Sequence, residues 1–147
     1  MKEKSELESL RYERKFNSAE ISPKDMEFLI KQNSALFREI FYERRVNNIY
    51  LDSLDFKNYQ ENISGVSERL KIRIRWYGSS LGMIKKPILE LKMKKGDLGK
   101  KLVFSLKPFK FDNSFSYEKL KQVFLNSNLP DWLLEKLKFY FPKLFNF

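Results

Sequence analysis

Residues 68–77 read Glu-Arg-Leu-Lys-Ile-Arg-Ile-Arg-Trp-Tyr, a stretch in which cationic and apolar residues alternate strictly. Alternate residues of a β-strand point to opposite faces, so the pattern predicts a strand with one apolar face and one cationic face. The cations are Arg69, Lys71, Arg73 and Arg75. Unpaired charges are too costly to bury in an apolar core, so this face requires anionic partners.

A second stretch, Ile88-Leu-Glu-Leu-Lys-Met-Lys94, repeats the alternation. It places Glu90, Lys92 and Lys94 opposite an apolar set of Leu89, Leu91 and Met93. Residues 78–82 contain two glycines and two serines and predict a hairpin between the two strands. The pair predicts a basic channel, and the alternative is a solvated outer face of an antiparallel sheet.

The net charge of +10 is concentrated in one part of the chain. Residues 68–110 hold 13 Lys or Arg against 3 Asp or Glu, whereas the other residues hold 16 of each. Concentrated positive charge on adjacent strands raises the local concentration of phosphates or nucleic acid. The distribution therefore favours a polyanionic ligand.

The composition limits the class of protein. At 147 residues with 42% hydrophobic and 16% aromatic content, the chain fits one globular domain with a substantial core. It contains no apolar run long enough to cross a membrane, and its start lacks a signal peptide, so a cytoplasmic location is expected. Without cysteine or histidine, any chemistry must use carboxylates, lysines, arginines, tyrosines or a bound metal.

The remaining periodicities predict an α+β fold. An antiparallel sheet of about five strands is expected, with helices covering its outer face and one end. The further strands are predicted at residues 9–16, 45–52 and 100–107, and the helices at 22–32, 55–62, from 116 onward, and from 130 through Phe141. The aromatic tail, residues 139–147, is expected to self-associate or to pack back on the sheet.

Several individual residues carry competing interpretations. Asp52 and Asp55 precede a predicted helix and are expected to cap it rather than to bind a metal. Trp76, Phe104 and Phe109 are candidate stacking platforms for bases. Trp76 shares the apolar face of its strand, so it is expected in the core instead. Aromatic rings exposed beside the arginines would instead favour nucleic-acid binding.

Four segments, in this order, resemble the VTC domain of polyphosphate polymerases, a family of the triphosphate tunnel metalloenzymes that also include CYTH phosphatases and adenylate cyclases. The segments are Tyr12-Glu-Arg-Lys-Phe16, Ile49-Tyr-Leu-Asp-Ser-Leu-Asp55 with Tyr59, Lys71-Ile-Arg-Ile-Arg-Trp-Tyr-Gly78 and Leu89-Glu-Leu-Lys92. The CYTH branch carries two glutamates and a lysine on its first strand. This chain has Arg11, Glu13 and Lys15 there, which favours the VTC branch.

The resemblance implies an antiparallel sheet that forms half of a triphosphate-tunnel-type β-barrel. Inward cations would hold a triphosphate or polyphosphate, and inward glutamates a divalent Mg²⁺ or Mn²⁺. The phosphate ligands implied by position are Arg11, Lys15, Lys71, Arg73, Arg75, Lys92 and Lys94, and the metal ligands are Glu13 and Glu90. The alternative for both glutamates is an ion pair with the same cations.

The reaction implied by the resemblance is transfer of the γ-phosphoryl group of ATP to a polyphosphate chain, with no catalytic residue assigned. Family members continue with further strands after the helical segment, so residues 1–147 are expected to be a single VTC-like domain truncated before the second half of the tunnel. Three explanations stay open: the gene product is truncated, the sequence is a fragment, or a homodimer or complementing chain supplies that half. This chain alone is expected to be weakly active or inactive. The alternative functions are a non-catalytic polyanion-binding or assembly module and a nucleic-acid-binding protein.

Overall fold

A computed structural model describes residues 17–96 and 98–146 in full, and residues 11 and 12 as backbone. The chain divides into two compact units, one formed by residues 14–44 and the other by the rest of the chain. The strands of the described residues are β1 (Arg11–Tyr12), β2 (Val46–Asp52), β3 (Glu68–Tyr77), β4 (Gly82–Ile84), β5 (Ile88–Lys95), β6 (Leu98–Ser105), β7 (Phe109–Phe111) and β8 (Phe141–Asn146). Their helices are α1 (Pro23–Gln32), α2 (Lys57–Ile63), α3 (Tyr117–Asn126) and α4 (Asp131–Leu137).

Six of these strands form one antiparallel sheet in the order β1-β6-β5-β3-β2-β8, and β4 pairs separately with β7. The predicted α+β class and antiparallel sheet are therefore confirmed. Strands β1 and β8 form the two edges of the sheet. Across the described residues the sheet is open, so it does not close into a barrel.

The sixth strand is β8, which the sequence pattern did not predict. The expected continuation of the last helix through Phe141 was wrong, because α4 ends at Leu137 and Phe141 begins β8. Pro142 has no N–H to donate and cannot continue a helix. The tail instead pairs with β2, opposite Ile49 at Phe145. The aromatic tail thus packs back on the sheet, one of the two expected outcomes, while Phe147 lies outside the described residues.

The apolar core lies on one face of the sheet, as the alternation predicted. Ile72, Ile74 and Trp76 of β3 are buried there, and the Trp76 indole Nε1 donates a hydrogen bond to the Ser79 carbonyl at 2.8 Å. Helices α3 and α4 pack on this face with the buried residues Leu120, Phe124, Leu133 and Leu137. Each fully buried side chain of this size contributes roughly 1.5–3 kcal/mol. The helices leave the opposite, cationic face of the sheet uncovered by this core.

Helix α1 belongs to the unit of residues 14–44 and begins as its sequence predicts. Pro23 occupies its first turn, and the Ser22 hydroxyl accepts a hydrogen bond from the Asp25 N–H at 3.2 Å. This satisfies one of the unpaired N–H groups at the helix start. Its apolar residues Leu29 and Ile30 are exposed.

Helix α2 is capped by Asp52, which ends β2. The two carboxylate oxygens of Asp52 accept hydrogen bonds from the backbone N–H groups of Asn58 and Tyr59, each at 2.9 Å. The capping interpretation of Asp52 is confirmed. Asp55 accepts a 2.6 Å hydrogen bond from the Ser53 hydroxyl, which lowers the pKa of the Asp55 carboxyl.

We expect Asp52→Ala to lower the free energy of unfolding by about 2 kcal/mol, the upper end of measured cap losses. The reason is that Asp52 is buried, so both N–H groups at the start of α2 would lose their acceptor without full access to water. Urea denaturation of both proteins measures the effect. Asp52→Asn retains one acceptor oxygen and should lose less; equal stability of wild type and Asp52→Ala would contradict the prediction.

Candidate functional site

Seven lysine and arginine side chains share the face of the sheet opposite the core. We call this surface, carried by β3, β5 and β6, the cation face. Its cations are Arg69, Lys71, Arg73, Arg75, Lys92, Lys94 and Lys101. The strict alternation of β3 and β5 places these side chains on one side and their apolar neighbours on the other.

The strand register aligns like charges across the cation face. Lys71 lies directly opposite Lys92 on β5, and Lys92 lies directly opposite Lys101 on β6. We call these three residues the lysine row. Like charges directly opposite one another in a sheet repel each other. The adjacent level pairs Arg69 with Lys94, so positive charge continues along the strands.

A single buried carboxylate organises the other end of this face. Glu90 is 0% exposed and receives the Arg73 guanidinium through Nε and Nη2, both 2.6 Å from its Oε2 atom. Its Oε1 atom lies 3.3 Å from Arg75 Nη1 and 3.2 Å from Lys101 Nζ. We call these four residues the Glu90 cluster. One negative charge therefore contacts three positive charges.

The Glu90 cluster is partly shielded from water. The side chains of Arg73, Arg75 and Lys101 are 11%, 20% and 36% exposed. Charges interact more strongly where water is excluded, both in attraction and in repulsion. The two uncompensated positive charges make this region suited to an additional anion, and the partial exposure of all three cations allows one to approach.

Strand β2 supplies polar neighbours to the two arginines. Arg73 Nη1 donates to the Tyr50 hydroxyl at 3.5 Å, and Arg75 Nε donates to the Asn48 side-chain oxygen at 3.5 Å. Asn48 is buried, and Tyr50 is half-buried. These hydrogen bonds, together with the ion pairs to Glu90, fix the orientation of the two guanidinium groups. The arginines are thus pre-positioned, which lowers the entropy lost when they bind an anion.

The structure brings together five of the predicted phosphate ligands, Lys71, Arg73, Arg75, Lys92 and Lys94. Arg11 is described only as backbone, where β1 places it opposite Gly99. Lys15 and Glu13 lie outside the described residues. For all seven predicted ligands, the two outside the described side chains included, phosphate binding stays a prediction.

Metal coordination by Glu90, as predicted, would compete with the ion pairs of the same carboxylate. Its carboxylate contacts Arg73, Arg75 and Lys101, the arrangement that the ion-pair alternative describes. Among the described residues, no group of three Asp or Glu side chains lies close enough to hold a metal ion. The described donor set therefore does not fit a protein-held divalent metal, and the role of Glu13 and Glu90 as ligands stays a prediction.

Lys101 is the functional candidate that sequence reasoning missed. Lys100 and Lys101 are adjacent, so composition alone cannot decide which of them faces the arginines. The register decides it, because Lys101 pairs with Lys92 while Lys100 pairs with Met93. The Gly96 turn between β5 and β6 fixes this register with φ of +58°, a backbone conformation that favours glycine.

The aromatic rings weighed for nucleic-acid binding lie elsewhere. Trp76 and Phe109 are buried, with their rings edge to face at 6.4 Å between centroids. Phe104 pairs with Leu89 on the apolar face, where its ring contacts Trp132. The expectation that Trp76 belongs to the core is confirmed. Single-strand readers combine cations with exposed aromatic platforms on one surface, and these three residues do not supply that combination.

Comparison with protein-family models matches residues 10–136 to the VTC domain. No curated protein and no solved structure matches the chain. None of the helices that the structure describes has the length and apolar character required to cross a membrane.

Proposed function

We propose that this chain, which belongs to the VTC domain family, binds the phosphates of a triphosphate or of polyphosphate on its cation face. The observation that carries the proposal is the lysine row, in which Lys92 lies directly opposite Lys71 on one side and Lys101 on the other. Adjacent ammonium groups concentrate positive charge along the row, and the successive phosphates of a polyanion would be attracted to it.

The arginines of the Glu90 cluster and the lysines would bind different phosphates of the ligand. Guanidinium groups bind phosphate oxygens with fixed geometry, so Arg73 and Arg75, already held by Glu90, suit a phosphate in a defined position. Lysine ammonium groups act as point charges on long side chains. Lys71 and Lys94, which form no ion pair within the described residues, suit the successive phosphates of a chain whose length varies.

In this proposal the phosphate ligand carries the divalent ion. Polyphosphate and nucleoside triphosphates coordinate Mg²⁺ or Mn²⁺ through their own oxygens, which needs few protein ligands. Phosphoryl transfer from ATP, and closure of the sheet into a tunnel by strands added beside β1 or β8, are the further parts of the proposal that the family resemblance motivates. Transfer would use the same cations to stabilise the charge that develops on the phosphoryl group.

The test is a titration of the purified chain with tripolyphosphate, with and without Mn²⁺, beside a single-stranded oligonucleotide. We expect saturable binding of tripolyphosphate that is tighter than binding of the oligonucleotide. Affinity should weaken as salt rises from about 0.05 to 0.5 M, because these partly exposed charges are screened. Isothermal titration calorimetry provides the affinities.

A tighter complex with the oligonucleotide would replace this proposal with nucleic-acid binding. Metal-dependent turnover of ATP by this chain alone would argue against the alternative of a non-catalytic polyanion-binding or assembly module, and it would contradict the expectation that the chain alone is weakly active or inactive. If the chain bound neither polyanion, the proposal would be overturned, because the cation face would then be only a solvated face of the sheet.

A further inference from the structure

A cleft of about 630 Å³ opens between helix α2 and strands β2, β3 and β8. We call it the α2 cleft. Its lining combines aromatic rings, amides and two lysines. The lining residues used below are Tyr50, Asp52, Phe56, Tyr59, Lys71 and Lys143. A volume of this size falls within the range of small-molecule sites.

The α2 cleft is continuous with the cation face at two residues. Lys71 lines the cleft and also begins the lysine row. Tyr50 lines the cleft, and its hydroxyl lies 3.5 Å from Arg73 Nη1. A ligand in the cleft therefore lies beside the first cations of the proposed phosphate site.

Two aromatic rings of α2 and its entry remain exposed at the α2 cleft. The Phe56 residue is 43% exposed and Tyr59 is 58% exposed, although both belong to the unit that contains the core. The Lys143 ammonium group lies 4.5 Å from the centroid of the Phe56 ring. The Tyr59 ring has no such cation contact among the described residues, so it offers a face for another flat ring.

The charge of the α2 cleft matches a ligand that joins a neutral ring to an anion. Asp52 is the acidic residue of its lining, and both carboxylate oxygens already accept backbone hydrogen bonds from α2. Lys71 and Lys143 provide the remaining charged groups of the lining. A cationic ligand finds no available carboxylate there, whereas the phosphate nearest a neutral base finds two ammonium groups.

From this geometry we propose that the α2 cleft binds the base of a nucleoside triphosphate, with the Tyr59 ring stacked on the base. The phosphates would leave the cleft past Lys71 and continue onto the cation face. This inference rests on the proposed function and adds to it a nucleoside specificity that polyphosphate alone would not use. A single aromatic cleft at one end of the cations suits one base rather than a strand of bases.

The test compares ATP with tripolyphosphate as ligands of the wild-type chain and of Tyr59→Ala. Removing the ring should weaken ATP about tenfold, which lies within the range that stacking on one base supplies. Tripolyphosphate should change by less than about twofold, because it has no base to stack. Tyr59→Phe keeps the ring and should bind ATP as the wild type does.

The substitution should leave the fold intact. Tyr59 contributes its backbone N–H to the Asp52 cap, and that group is retained in Tyr59→Ala. Alanine also has a higher helix propensity than tyrosine. Tyr42→Ala is the matched control, since it removes an exposed tyrosine from the unit of residues 14–44. It should bind both ligands as the wild type does.

The outcomes separate this inference from the proposed function. Selective loss of ATP affinity in Tyr59→Ala supports it. Unchanged ATP affinity, or equal weakening of ATP and tripolyphosphate, would overturn the base site and leave phosphate binding in place. Failure of the wild type to bind either ligand would overturn the proposed function and the base site together.

Discussion

Replacing Glu90 with glutamine is expected to lower the free energy of unfolding by about 3 kcal/mol. The substitution keeps the size of the side chain and removes its charge. Arg73, Arg75 and Lys101 would then surround a neutral amide in a region that is partly shielded from water. Breaking a buried ion pair by removing one partner costs about 3–5 kcal/mol, and the partial exposure of Arg75 and Lys101 places this case at the lower end.

Urea denaturation at neutral pH measures this loss. The matched control is Glu68→Gln, which removes a carboxylate whose 2.8 Å ion pair with Lys95 is exposed on the same pair of strands. Exposed pairs of this kind contribute little, so no measurable change is expected. Equal effects of the two substitutions would show that burial of Glu90 among three cations has no special importance for stability.

The same variant also tests anion binding. A polyanion bound among Arg73, Arg75 and Lys101 would replace the charge that Glu90→Gln removes. Ligands that bind only the folded state stabilise it by mass action. Tripolyphosphate should therefore raise the stability of Glu90→Gln more than that of the wild type. An equal increase in both proteins would place the bound phosphates away from the Glu90 cluster.

The second large effect is expected for the double variant Lys71→Glu/Lys94→Glu, which should weaken tripolyphosphate binding at least about 100-fold. Each hydrogen bond to a charged group contributes about 1.5–3 kcal/mol, and two such losses amount to a factor of that size. Reversing the charges adds repulsion. Within the described residues neither lysine takes part in an ion pair, so the fold should be retained.

The control for this variant is Lys119→Glu/Lys138→Glu, which changes the net charge by the same amount. Both lysines are exposed, Lys119 on α3 and Lys138 directly after α4, and these helices pack on the opposite face of the sheet. At about 0.15 M salt, charges more than about 8 Å apart are largely screened, so this control should bind nearly as the wild type does. Equal weakening by both variants would indicate attraction by net charge alone and would argue against a defined site.

Local patterns in the sequence were sufficient to predict the class of fold and the faces of its central strands. The alternation in residues 68–77 assigns Trp76 to the core and Arg73 to the opposite face, because side chains of a strand alternate wherever the strand lies. Asp52 was likewise predictable as a cap, since a helix start needs an acceptor close by in the chain. These conclusions depend on neighbours in sequence.

Only the tertiary structure decided which charges meet. Glu90 and Lys101 are separated along the chain by a turn, and their 3.2 Å contact depends on the register that the Gly96 turn and the pairing of β5 with β6 set together. The strand at Phe141–Asn146 forms by pairing with the edge of β2. The helical periodicity of residues 130–141 gave no indication of this pairing. Strand pairing joins residues distant in sequence, so a one-residue change of register would have reversed every face. The alternation of β3 and β5 in the sequence was thus sufficient to predict the cation face. The lysine row and the Glu90 cluster depend on how the strands pair.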